Sequence, residues 1–123
     1  MIRDGEDMEI KNAALGDVPM LVIRGEVDGD SCATLCSELE RWIDSGQHVI
    51  FLDVSSVVDI VPHCIASLCS LAETMRWGWL GIIGANERFS LALQAHSTSP
   101  SPRLRMFRDR QEARAATGER AST

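Results

Sequence analysis

The stretch from His48 to Leu71, HVIFLDVSSVVDIVPHCIASLCSL, constrains the fold more than any other part of this chain. It opens on a short apolar run, Val49-Ile50-Phe51-Leu52, which reads as a buried strand. Asp53-Val54-Ser55-Ser56 reads as a polar turn, and a second apolar stretch runs on to Pro62. Proline suits the first position of a helix, where a missing N–H costs nothing. From Ile65 onward the apolar spacing is helical. A buried strand that feeds a single helix, with another strand after it, implies parallel neighbours joined by a right-handed crossover.

The rest of the chain repeats this alternation. Met8 to Leu15 alternates weakly, as an edge strand does, and Val18 to Val27 is a stronger strand centred on Leu21, Val22 and Ile23. Gly16-Asp17 between them predicts a hairpin. Asp28-Gly29-Asp30-Ser31 supplies turn residues and an N-cap. Cys32, Leu35, Cys36, Leu39, Trp42 and Ile43 then recur at three- and four-residue spacing, an amphipathic helix that ends at Ser45-Gly46. The helix opening at Pro62 is expected to reach Trp77, with Gly78 as its stop. Trp79 to Gly84 reads as a buried strand, Glu87 to Ala95 as a short helix, and Ser97 to Pro102 as a loop. Leu104 to Phe107 is a closing strand, and Asp109 with Glu112 forms a capping box for a last helix. The order β-β-α-β-α-β-α-β-α predicts an α/β fold: a mixed sheet of about five strands with four helices mostly on one face. The expected organisation is a flexible leader over residues 1–7, one domain over 8–117 and a flexible tail over 118–123.

Composition narrows the function. The chain has 123 residues, a formal net charge of −6, 45% hydrophobic and 24% charged residues. That suits one ordinary globular domain and argues against a nucleic-acid partner, which requires clustered Lys and Arg. The late arginines, from Arg103 to Arg120, read as a solvated C-terminal strand and helix. No apolar run reaches bilayer-spanning length, so no direct membrane insertion is expected. The acidic, polar N-terminus is unlike a secretory signal, which makes the cytoplasm the expected location. The four cysteines, Cys32, Cys36, Cys64 and Cys69, then read as reduced thiols.

Five local motifs, in order, resemble the STAS domain of bacterial anti-sigma factor antagonists. Gly25-Glu26-Val27-Asp28 matches the family's Gly-Glu-Leu-Asp, and Asp53-Val54-Ser55-Ser56-Val57 its Asp-Leu-Ser-Gly-Val. Ile65-Ala66-Ser67-Leu68 fits its Leu-Gly-x-Leu. Trp77 to Ile83 fits its Gly turn and Leu-Ile-Val strand, and Phe107 to Ala113 its closing Phe and Glu-Ala. The resemblance implies the STAS fold and a regulator that binds an anti-sigma factor with a kinase-like ATPase fold. In the antagonists the loop before the second helix reads Asp-Ser-Ser-Gly, and its first Ser is phosphorylated by the partner. The corresponding positions here are Val61, Pro62, His63 and Cys64. Taking Asp59 as the acid gives Ile60 and Val61, again without a hydroxyl. The charge switch that a phosphate provides is therefore expected to be missing. Ser55, Ser56, Ser67 and Ser70 lie nearby, the first two at a strand end and the others within a helix. The segment STSPSPR also replaces the family's shorter Gly-Leu turn.

The candidate partner-binding residues are Asp28, Asp59, Pro62, His63 and Cys64. Asp28 aligns with the acid of the family's binding face and is equally suited to a turn or N-cap. Pro62, His63 and Cys64 begin a helix whose N–H groups favour anions, which suggests a surface for an acidic or polar partner patch. Cys64 in a first helical turn has a dipole-favoured thiolate, so a redox pairing of Cys64 with Cys32 or Cys36 is one alternative to the lost phosphoswitch. Cys32, Cys36, His63 and Cys64 also invite the idea of a zinc site; without paired C-x-x-C knuckles, no metal is expected. No cofactor is expected either. The chain has no Walker-type glycine loop, G-x-S-x-G elbow or H-E-x-x-H, so it reads as an interaction protein and not an enzyme. Three roles remain open: an anti-sigma factor antagonist, an accessory or scaffold subunit of a membrane transport assembly or multi-STAS complex, and a small-molecule-binding domain. A homodimer or a contact with other STAS proteins is a further expected partnership.

Overall fold

A computed structural model of the chain describes residues 8–75, 78–96 and 103–117. Its elements are β1 (Glu9–Leu15), β2 (Val18–Val27), α1 (Gly29–Asp44), β3 (Val49–Ile60), α2 (Pro62–Glu73), β4 (Trp79–Ile83), α3 (Glu87–His96), β5 (Leu104–Phe107) and α4 (Arg110–Ala116). They form one five-stranded sheet in the order β1-β2-β3-β4-β5. β1 pairs antiparallel with β2, and the remaining pairs are parallel. This is the mixed α/β sheet expected from the order of elements. The expected leader 1–7, tail 118–123 and loop Ser97 to Pro102 lie outside the described residues.

The helices divide three to one between the faces. Leu35 and Leu39 of α1, Ile65 and Leu68 of α2, and Phe89 and Leu93 of α3 cover Leu21, Ile23, Ile50, Leu52, Leu80 and Ile82 of the sheet. On the opposite face α4 places Ala113 against Met20, Phe51, Trp79 and Ile83. Burying each Leu, Ile or Phe contributes about 1.5–3 kcal/mol, so both faces stabilise the sheet. Gly81 makes the second face possible. A Cβ there would sit 2.7 Å from the Phe51 ring and 2.9 Å from that of Phe107. With no side chain in the way, Phe51 meets Trp79 and Phe107 edge to face and those two rings pack tilted, with centroids 5.6–5.9 Å apart.

β3 differs most from the sequence expectation. The polar segment 53–56 is not a turn; the strand continues through it to Ile60. Two register shifts against β2, between Val22 and Arg24 and between Gly25 and Glu26, each give β3 one extra residue. These bulges absorb the polar segment. The Asp53 carboxylate accepts hydrogen bonds from the Ser55 backbone N–H (3.0 Å) and hydroxyl (2.7 Å), local bonding of the kind that also makes turns. Its other oxygen accepts from the Arg110 guanidinium of α4 at 2.6 Å. Asp53 is the buried charged residue among those described, and this ion pair ties α4 to the centre of the sheet.

α2 ends at Glu73 rather than Trp77, with Thr74 as its C-cap; Trp77 lies outside the described residues. Gly78 is not the helix stop expected, since α2 has already ended at Glu73. Its φ is +85°, and a Cβ would meet the carbonyl oxygen of His48. That close approach lets Trp79 N–H bond to His48 O at 2.9 Å and start the β3–β4 ladder. At α4, Asp109 caps the Glu112 N–H (2.9 Å), while the Glu112 carboxylate reaches back to the Arg108 N–H (2.6 Å) and not to that of Asp109. No described helix is long and apolar enough to cross a membrane.

Candidate functional site: an acid-rimmed groove at the carboxyl ends of the strands

β2 ends at Val27 and β3 at Ile60, and the Val61 N–H bonds to Val27 O at 3.0 Å, holding the two loops together. Asp28 follows β2 and caps α1: its carboxylate accepts from the Ser31 N–H at 2.9 Å. Asp28 is thus an N-cap, and it also lines the groove. Pro62 follows β3 and occupies the first turn of α2, with Val61 as an N-cap that offers no side-chain bond.

A groove of about 370 Å³ opens between these loops and the start of α3. Val57, Val58, Ile60 and Val61 supply apolar wall, Phe89 and Ala92 the α3 side, and Glu26, Asp28, Asp59 and Arg88 the charge. Val58 is 63% exposed, a large apolar side chain turned outward by the second bulge of β3. Arg88 lies 3.5 Å from Asp59, both well exposed. Asn86 fixes the α3 side, accepting from the Phe89 N–H at 2.8 Å and donating to Val57 O at 3.5 Å. Three carboxylates against one guanidinium make the groove acidic. The surface expected for an acidic or polar patch is the start of α2, of which only Pro62 lines this groove.

The structure brings Asp28, Asp59 and Pro62 to this groove and separates the other two candidates from it. His63 is exposed but lines a second groove, about 520 Å³, between α1 and α2, with Cys36, Glu40, Ser67 and Ser70. Cys64 is fully buried, so it cannot be a contact residue. It is joined by a disulfide to Cys32, with Cα atoms 5.7 Å apart. Cys32 and Cys64 are therefore not the reduced thiols expected, and Cys64 presents no thiolate in the first turn of α2. Cys36 and Cys69 are free and half-buried. Burial, reinforced by Glu40 and Glu73 respectively, pushes both thiols above their ordinary range. Among the described residues no three His, Cys, Asp or Glu side chains gather as a metal site.

Glu26, Val58 and Arg88 belong to the groove and were not singled out by sequence reasoning. Glu26 stood in a recognised motif, but its place on the rim depends on its pairing with Asp59 across β2 and β3. Arg88 arrives from a helix about thirty residues further along the chain, and nothing local marks it. Two of the four nearby serine hydroxyls are engaged: Ser55 donates to Asp53, and Ser67 to the His63 carbonyl at 3.1 Å.

No protein-family model matches this sequence, and no curated protein matches it significantly. Solved structures do match. An anti-sigma factor antagonist from Mycobacterium paratuberculosis superposes with a TM-score of 0.76 at 13% identity, covering 94% of this chain and 97% of that one. A putative anti-sigma factor antagonist from Thermotoga maritima gives 0.74 at 15% identity, covering 87% and 92%. The unphosphorylated anti-sigma factor antagonist SpoIIAA gives 0.66 at 11% identity, covering 92% and 99%. From its first β-hairpin to its last helix, the chain has the SpoIIAA-like STAS fold of the anti-sigma factor antagonists.

Proposed function

We propose that this chain is a cytoplasmic, non-enzymatic regulator that binds an anti-sigma factor through the groove between β2, β3 and α3. The proposal includes the kinase-like ATPase fold of that partner. The observation that carries it is the convergence of Asp28, Asp59 and Pro62 on one groove whose wall is apolar and whose rim is acidic. An exposed Val58 beside carboxylates has the make-up of a binding patch: apolar centre, charged rim. The complementary partner face is basic with an apolar centre. Pro62 stands where the resemblance implies a phosphorylated Ser, and it has no hydroxyl. Binding is therefore not released by phosphate at that position.

Calorimetric titration with candidate anti-sigma factors at several salt concentrations tests this reading. The wild-type chain is expected to bind, with affinity falling as salt rises. Glu26→Lys reverses one rim charge without touching a helix cap, and is expected to weaken binding by about tenfold at low salt and to flatten the salt dependence. An affinity unchanged by Glu26→Lys contradicts the assignment of this groove.

A further inference from the structure

Cys32, Cys36 and Cys64 bring three sulfurs together between α1 and α2. Cys32 and Cys64 form the buried disulfide, 2% and 0% exposed. The Cys36 sulfur lies 3.9 Å from that of Cys32. Cys36 alone of the three lines the open groove between α1 and α2, beside His63 and Glu40. A reductant in solution therefore reaches Cys36 and not the disulfide itself. We propose that the α1–α2 groove is a thiol–disulfide exchange site, in which Cys36 relays electrons between a dithiol reductant in the groove and the Cys32–Cys64 bond.

The relay has three balanced steps. The Cys36 thiol loses its proton to solvent and its thiolate attacks the Cys32 sulfur; the Cys32–Cys64 bond breaks, and Cys64 leaves as a thiolate that takes up a proton. One thiolate of the dithiol then attacks the Cys36 sulfur from the groove, and Cys32 leaves and is protonated in turn. The second thiol of the reductant attacks its own bound sulfur and releases Cys36 as a thiol. The dithiol ends as a disulfide, Cys32 and Cys64 end reduced, and Cys36 is regenerated. Run backwards with a disulfide oxidant, the same steps form the bond. Side chains four apart on a helix hold their Cβ atoms about 5–6 Å apart, whereas a disulfide wants about 3.5–4.5 Å. A Cys32–Cys36 bond is thus a short-lived intermediate that requires the first turn of α1 to loosen, and Cys32–Cys64 is the resting bond.

The bond joins the first turn of α1, just after Asp28, to the first turn of α2, just after Val61. These are the two loops that form the partner groove. Control of binding by thiol state rests on the proposed function; the exchange chemistry does not, and it is measured without a partner.

The test uses the full chain purified without reductant. Alkylation in denaturant with peptide mapping is expected to show Cys32 linked to Cys64 and the other two cysteines free; four free thiols overturn the proposal. The native protein is then reduced with dithiothreitol, and samples are trapped by acid and alkylated over time. Cys36→Ser is expected to slow reduction by about tenfold or more, because the direct route to a buried disulfide requires opening of the fold. Cys69→Ser, which removes the other half-buried thiol, is expected to leave the rate unchanged, and denaturant is expected to equalise all three proteins. Native reduction of Cys36→Ser at the wild-type rate, or equal slowing by Cys69→Ser, overturns the relay.

Discussion

Asp53 shows how one residue can misdirect a reading of the sequence and still organise the structure. A buried carboxylate favours its neutral form, and burial alone pushes Asp53 up; the Ser55 hydroxyl and N–H and the Arg110 guanidinium outweigh it and leave the group below the ordinary carboxylate range. A carboxyl lowered on folding stabilises the protein above its unfolded-state value, and that stability is lost as pH falls through the folded-state value. Arg110→Ala removes the guanidinium, so the remaining carboxylate is buried with less compensation. Chemical denaturation at neutral pH is expected to show a loss of about 2 kcal/mol, and the acid-unfolding midpoint is expected to move to higher pH. A variant as acid-resistant as wild type contradicts this account of Asp53. Gly81 makes a separate case: Gly81→Ala places a methyl against the Phe51 and Phe107 rings and is expected to cost about 1–3 kcal/mol, read from the same denaturation curves.

At the scale of elements, the parts legible in the sequence were those with clean periodicity and punctuation. β2 and β5 run over the residues their apolar patterns marked, and α1 begins at the Asp28 cap and stops at Ser45 with Gly46 at φ +98°. β3 was misread because Asp53, Ser55 and Ser56 are turn-forming residues; two bulges and a side-chain cap keep them in a strand, which requires the β2 partner to be in place. The lone position of α4 on the second face was equally hidden, since it depends on where the sheet turns Phe51, Trp79 and Phe107. The candidate site divides the same way. Asp28 and Pro62 carry local signals, a cap and a helix-opening proline, and both reach the groove. The inward turn of Cys64 and the arrival of Arg88 are consequences of tertiary packing. Asp28 also allows its two roles to be separated. Asp28→Asn keeps a good cap and removes the charge, so its stability is expected to stay within a few tenths of a kcal/mol, whereas Asp28→Ala is expected to lose about 1 kcal/mol. Both are expected to bind the anti-sigma factor more weakly. If Asp28→Asn binds as wild type does, Asp28 is a cap alone.

On the scale of the whole molecule, the SpoIIAA-like fold presents a groove at the carboxyl ends of β2 and β3 and, next to it, a covalent tie between α1 and α2. The proposed regulator carries Pro62, a residue with no hydroxyl, where the resemblance implies a phosphorylated Ser. The most direct measurement mixes the pure chain with a candidate anti-sigma factor, with and without ATP and magnesium, and reads both the complex and the intact mass of this chain. The account predicts a complex of the same stability in both conditions and no added phosphate. Phosphate on this chain with release of the complex, or no complex with any anti-sigma factor of the same cell, contradicts it.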